Sequence, residues 1–257
     1  MTGIRVPVAA GTFYPARAAE LADHVDHLLD AAEPPSVPGE LRALVVPHAG
    51  YAYAGAVAAA AFAALPAGAA DLRVALLGPS HFTPLAGAAV TGAEAWRTPL
   101  GDVRVDDVLR TAALDAGAVV DERPHSADHA LEVELPFLQR RAAGDLRVLP
   151  VAIGHDGVEV VARLADDAFV VVSTDLSHYH DDVTARLLDR RTADRVLALD
   201  ADGIRDRDAC GGAALRALLH CARDARWTCT LLDLRTSADA SGDVRRVVGY
   251  GAFAFSL

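Results

Sequence analysis

Three histidines carry the chemistry that this sequence suggests most directly. His48 follows Leu44-Val45-Val46-Pro47. His81 follows residues 72–77 and Gly78-Pro79-Ser80. His178 follows residues 169–172 and Ser173-Thr174-Asp175-Leu176-Ser177. Neutral imidazole is the commonest metal ligand. The runs before these histidines are apolar nearly throughout rather than alternating, the pattern of strands buried on both faces. Pro47 cannot donate to a sheet ladder, so the first strand ends there. Open α/β sheets place their ligands beyond the carboxyl ends of such strands. One strand-end histidine is as readily a turn residue; three on parallel strands of one sheet point to a shared site.

Other residues could join them. Asp175 can orient a histidine or cap its own turn. His129 and Glu132 are three apart, so one helical turn would place them on one face, a spacing that suits a site and equally an ordinary surface pair. His178, Asp175, His129 and Glu132 are therefore the candidate catalytic set. Glu134, beside Leu135-Pro136, is expected to lead out of that helix. Asp239 is a loop carboxylate shortly before the last strand and, taken alone, a solvated turn residue. Ser80 and Ser177 lack a Gly-x-Ser-x-Gly elbow, which argues against a serine hydrolase. Cys210, before Gly211-Gly212, is either a nucleophile at a helix start or a buried structural thiol.

The elements that must position these groups alternate between helix and strand. Helical spacing covers residues 16–32, with Leu21, Val25, Leu28 and Leu29 on one stripe. Helices are also expected over 51–65, 106–116, 183–199 and 212–223. Strands are expected up to His48 and over 72–77, 87–91, 146–153, 169–172, 228–234 and 247–255. Residues 4–15 are expected to be irregular, 96–103 a hairpin-like turn, and 236–243 a loop rich in Ser, Asp and Gly. This alternation predicts an α/β fold: a single domain with a central, mostly parallel β-sheet flanked by helices.

Composition narrows the function. The 257 residues are 52% hydrophobic, with a formal net charge of −11. That acidity argues against nucleic acid or an anionic membrane face as the main partner. The sequence has neither Lys nor Asn, which excludes a Schiff-base lysine, a Walker A lysine and a Cys-His-Asn triad. The cysteines are Cys210, Cys221 and Cys229, an odd and unpaired set that suggests free thiols in a reducing, cytoplasmic compartment. No secretion signal is visible. The Ala-rich run 54–65 is too short for a bilayer of about 30 Å.

Several blocks together resemble the Memo family. They are Arg5-x-Pro7, Ala10-Gly11-x-Phe13-Tyr14-Pro15, Pro47-His48-Ala49-Gly50-Tyr51-x-Tyr53-x-Gly55, Leu77-Gly78-Pro79-Ser80-His81 and Thr98-Pro99-Leu100-Gly101. The others are His129-Ala130-Leu131-Glu132-Val133-x-Leu135-Pro136-Phe137-Leu138, residues 173–179 and Val248-Gly249-Tyr250. They run in order over nearly the whole chain, and the resemblance implies one Memo-like domain over 1–257. It implies a fold like the class III extradiol dioxygenases, with a metal at His48 and His81. It also places His178, with Asp175, where the dioxygenase general base stands. In the animal member a Cys is expected in the loop before the final strand, and none lies there in this sequence. Asp239 is aligned to that position instead, completing two His and one carboxylate, a set suited to non-haem Fe(II). Cu and Zn are the alternative ions. The implied activities are a metal-dependent oxidoreductase acting on a small molecule, or a non-catalytic metal- or partner-binding module. Bacterial and archaeal members resemble partners of a radical S-adenosylmethionine protein (AmmeMemoRadiSam system protein B type).

Overall fold

No charged residue interrupts residues 43–46, 74–77 or 170–172, and these segments form the buried middle of the sheet. The computed structural model describes residues 3–257. Four parallel strands lie side by side in the order Arg147–Ile153, Arg73–Gly78, Phe169–Ser173 and Leu41–Val46. Strand Val247–Ser256 pairs antiparallel with Leu41–Val46, and Thr228–Thr236 pairs antiparallel with Val247–Ser256. The whole is a 12-stranded mixed sheet in one α/β domain, parallel at its centre as expected.

Register decides what happens at the strand ends. Val46 lies opposite Ser173, and Leu77 lies opposite Val172. Three neighbouring strands therefore stop almost level, so the loops beginning at Pro47, Pro79 and Thr174 leave the same edge. Gly78 lets two of these strands approach a covering loop, since a Cβ there would lie 2.8 Å from Leu131.

Two helix groups flank the sheet. Ala18–Asp30, Tyr51–Ala63 and Leu135–Arg141 contact one another; Asp107–Asp115, Val158–Asp167 and Gly212–Asp224 form the second group, in which Val158–Asp167 touches both others. Tyr51–Ala63 is apolar on nearly every face and is buried accordingly. Among the described residues no helix is long and apolar enough to cross a membrane.

Two local expectations need correction, and the hairpin-like turn is borne out. Within the segment expected to be irregular, Ile4–Arg5 pairs with Ala95–Trp96, so the chain start is tied to the sheet. The turn over 96–103 is a true antiparallel pair, Ala95–Thr98 with Gly101–Val105. Its corner needs Gly101 at φ +123°, a conformation L side chains rarely adopt. In the 236–243 segment the preceding strand runs on to Thr236, and a short helix, Ala238–Ser241, follows.

Candidate metal centre

His48 is 2% exposed, just past the Leu41–Val46 strand. Its Nδ1 lies 2.9 Å from Ser173 Oγ. That hydroxyl has one proton, which it donates to the Ala130 carbonyl at 2.7 Å. His48 must therefore donate through Nδ1, which leaves the Nε2 lone pair free. Cys210 Sγ stands 3.2 Å from that Nε2.

His81 follows the same logic. Its backbone N–H and Nδ1–H donate to the two oxygens of Asp128, at 2.7 and 3.0 Å. Burial would raise the Asp128 carboxyl, but the His81 ring and backbone donors hold it down to about 2. An ionised carboxylate behind a histidine fixes its tautomer and strengthens it as a ligand. His178 donates Nδ1–H to the Leu176 carbonyl at 2.8 Å, again leaving Nε2 free. Burial lowers the pKa of His48, His129 and His178, so these rings favour the neutral form.

Cys210 enters from the far side of the sequence. It precedes helix Gly212–Asp224, and its backbone N–H donates to the Asp175 carbonyl at 3.2 Å. The Asp175 N–H in turn points at Sγ, 3.3 Å away. Gly211 is required beside it, because a Cβ there would lie 2.7 Å from Thr174. Burial, reinforced by the Asp175 carboxylate, pushes the thiol up to about 12. One donor atom from each of His48, His81 and Cys210 lies within 4.8 Å of the other two. Two imidazoles and a thiol make a chemically sensible three-residue ligand set with a position left open. These residues fit a metal ion.

The other candidates separate. His129 joins the centre: its ring stacks on Phe13 and on His81, with centroids 4.1 and 5.3 Å apart, and meets His48 edge-on. With His81 and Asp128 it forms a second possible donor group. Asp175 is buried beside the site but does not orient His178. Its Oδ1 accepts the His48 backbone N–H at 2.9 Å, and burial raises its pKa to about 7.

Glu132 does not share a face with His129, because residues 127–131 are not helical and Glu132–Glu134 is a 3-10 turn. Its oxygens accept from Arg5, Val8 N, Ala9 N and Tyr14, which leaves it no capacity for substrate. Glu134 is not at a helix exit; it opens helix Leu135–Arg141 and is buried against Ser173. Asp239 lies on the short Ala238–Ser241 helix, 37% exposed. One oxygen is paired with Arg186 at 2.8 Å and the other accepts the Thr236 N–H. It is absent from the possible donor groups, whereas Cys210 joins His48 and His81 in one of them. Reading the sequence missed Cys210, Asp128 and Ser173 as parts of the site. The one available signal was a cysteine directly before two glycines at a helix start.

The fold and this cluster define an α/β protein with a His/Cys cluster at the strand-end edge that could hold a metal ion. Residues 5–254 match the profile of the family described as Memo-like protein. A MEMO1 family protein of Methanosarcina mazei is 35% identical over 97% of this chain and 98% of its own length. One from Methanopyrus kandleri is 35% identical over 98% of each chain, and one from Sulfolobus acidocaldarius is 33% identical over 96% and 97%. The chain belongs to the Memo family, whose fold is extradiol dioxygenase-like.

Proposed function

We propose that this chain holds one metal ion through His48 Nε2, His81 and Cys210, and acts on a small molecule that reaches the open position. The observation that carries the reading is the shared hydrogen-bond pattern. All three strand-end histidines spend Nδ1–H on a fixed protein acceptor and keep Nε2 free. A bound ion would supply Lewis-acid or redox chemistry. His48 and His81 then need no ring reorientation to act as ligands. Burial would lower the His81 pKa, but Asp128 raises it overall, so that ring gives up its proton on binding an ion. His178 is a neutral base able to take a proton at Nε2. His129 and Phe13 wall the centre as a stacked pair.

The donor set bears on the metal. A thiolate favours softer ions than the carboxylate expected from the sequence. Copper and zinc therefore stand beside iron(II), and an oxygen-dependent oxidoreductase is the activity we infer. The three cysteines are free, which supports a reducing, cytoplasmic setting.

The test is metal content after anaerobic purification. About one ion per chain is expected, lost in His48→Ala and Cys210→Ser but kept in Asp239→Ala. Loss in Asp239→Ala with retention in Cys210→Ser would overturn the ligand set. Substrate-dependent O2 uptake by the loaded protein then tests the redox reading. Metal binding without turnover, with a stable complex to a radical S-adenosylmethionine partner, would mark a binding module instead.

A further inference from the structure

A cavity of about 480 Å³ is lined in part by residues next in sequence to the candidate metal centre. Ser177, directly before His178, lines it, as does the 205–208 segment that leads into Cys210. Its charge is unusual for this chain. Arg191 and Arg195 reach it from helix Asp182–Leu197, and Arg205 and Arg207 from the loop beyond that helix. The protein carries a net charge of −11 and pairs most of its arginines with carboxylates.

One carboxylate, Asp208, lines the cavity with these arginines, and both it and nearby Asp206 are already engaged. Asp208 pairs with Arg195 at 3.2 Å and accepts the Arg205 backbone N–H. Asp206 turns to Arg216 at 2.9 Å. Among the described residues, the guanidinium groups of Arg191, Arg205 and Arg207 have no acidic partner. Cations gathered on one concavity repel one another unless an anion joins them. Ser177 is buried at the same wall, and its backbone N–H donates to Asp189 Oδ1 at 2.9 Å.

We propose that this cavity binds a phosphate-bearing small molecule. A carboxylate satisfies one guanidinium fork, whereas a phosphoryl group offers enough oxygens for several. The cavity is also larger than a bare phosphate needs and falls within the roughly 300–1,000 Å³ of small-molecule sites. Leu188 and Thr192 provide a less charged wall for the organic part. The site is separate from the metal cluster, and its argument stands without the metal reading.

The probe is inorganic phosphate, titrated calorimetrically into the full metal-loaded chain at constant ionic strength in chloride. One saturable site per chain is expected. Arg191→Ser and Arg205→Ser should each weaken it about tenfold, with circular dichroism unchanged because both side chains are exposed and unpaired. Arg163→Ser, whose arginine pairs with Asp167 elsewhere, should leave the affinity intact. The metal-free wild-type chain should bind phosphate equally well, which separates this site from the metal. No saturation below about 10 mM would overturn the proposal. So would an affinity that neither Arg191→Ser nor Arg205→Ser changes, or one lost when the metal is removed from the wild-type chain.

Discussion

Glu134 and His48 share one hydroxyl: Ser173 Oγ lies 3.0 Å from Glu134 Oε1 and 2.9 Å from His48 Nδ1. Because the Ser173 proton goes to the Ala130 carbonyl, both neighbours must be donors. Glu134 is therefore a protonated acid, and its complete burial favours that form by pushing its pKa well up. A neutral glutamic acid and a neutral imidazole thus hold one hydroxyl between them, and the histidine's outer nitrogen is kept free for the metal.

Removing that relay should weaken metal binding without removing a ligand. Ser173→Ala is expected to cost about 10- to 100-fold in metal affinity, read by competition with a chelator. Glu134→Gln should behave nearly as wild type, because an amide N–H can replace the acid's donor. Wild-type affinity in Ser173→Ala would show that the hydroxyl does not set the His48 tautomer.

Asp128 should matter as much to His81. It takes three donors: His81 N–H, His81 Nδ1–H and the Ala130 N–H. Asp128→Asn turns an N–H2 group toward at least one of them. Metal affinity should fall about 10- to 100-fold while the fold persists by circular dichroism. An unchanged chelator titration would reduce Asp128 to a loop fastener.

Glu132 should be structural. It is fully buried, ion-paired to Arg5 at 2.6 Å, and accepts two backbone N–H groups and the Tyr14 hydroxyl. Glu132→Gln leaves a buried guanidinium without its counter-charge and replaces an acceptor with a donor. We expect about 3 kcal/mol or more of lost stability in urea, with metal content per folded chain unchanged. Near wild-type stability combined with lost metal would return Glu132 to the site.

A pH effect should come from Asp106. Burial would raise its pKa, but the Arg73 fork and the N–H groups of Leu109 and Val108 hold it below the ordinary carboxylate value. A depressed folded pKa contributes stability that is complete above the unfolded value, about 4, and is lost as pH falls through the folded one. Asp106→Asn keeps an N-cap for helix Asp107–Asp115 but removes the charge. The variant should be less stable by about 1 kcal/mol at pH 7, and the gap should close as acid protonates the wild type. A gap that persists down to pH 2 would mean that the charge is not responsible.

Much of this arrangement was legible in the chain. The continuous apolar runs before Pro47, Gly78 and Ser173 mark strands buried on both faces, and such strands pair in parallel. The histidines just beyond them had to gather at one edge. The meeting of His48 and His81, with ring centroids 5.1 Å apart, follows from that topology, whereas His129 joins them from the covering loop that also carries Leu131.

The third ligand and the roles of the acids were not legible. Cys210 is 162 residues from His48, and no local periodicity relates the two. Asp239 had the right chemistry for a carboxylate ligand, but Arg186, projecting from a different helix, claims it. His129 and Glu132 have helical spacing, yet the backbone between them is not a helix, so they diverge. Local pattern and composition determined the strands and the histidines just beyond them, because these depend on each residue's neighbours in the chain. Only tertiary structure decided which thiol or carboxylate is free to bind, because long-range hydrogen bonds and ion pairs from distant segments use up the others.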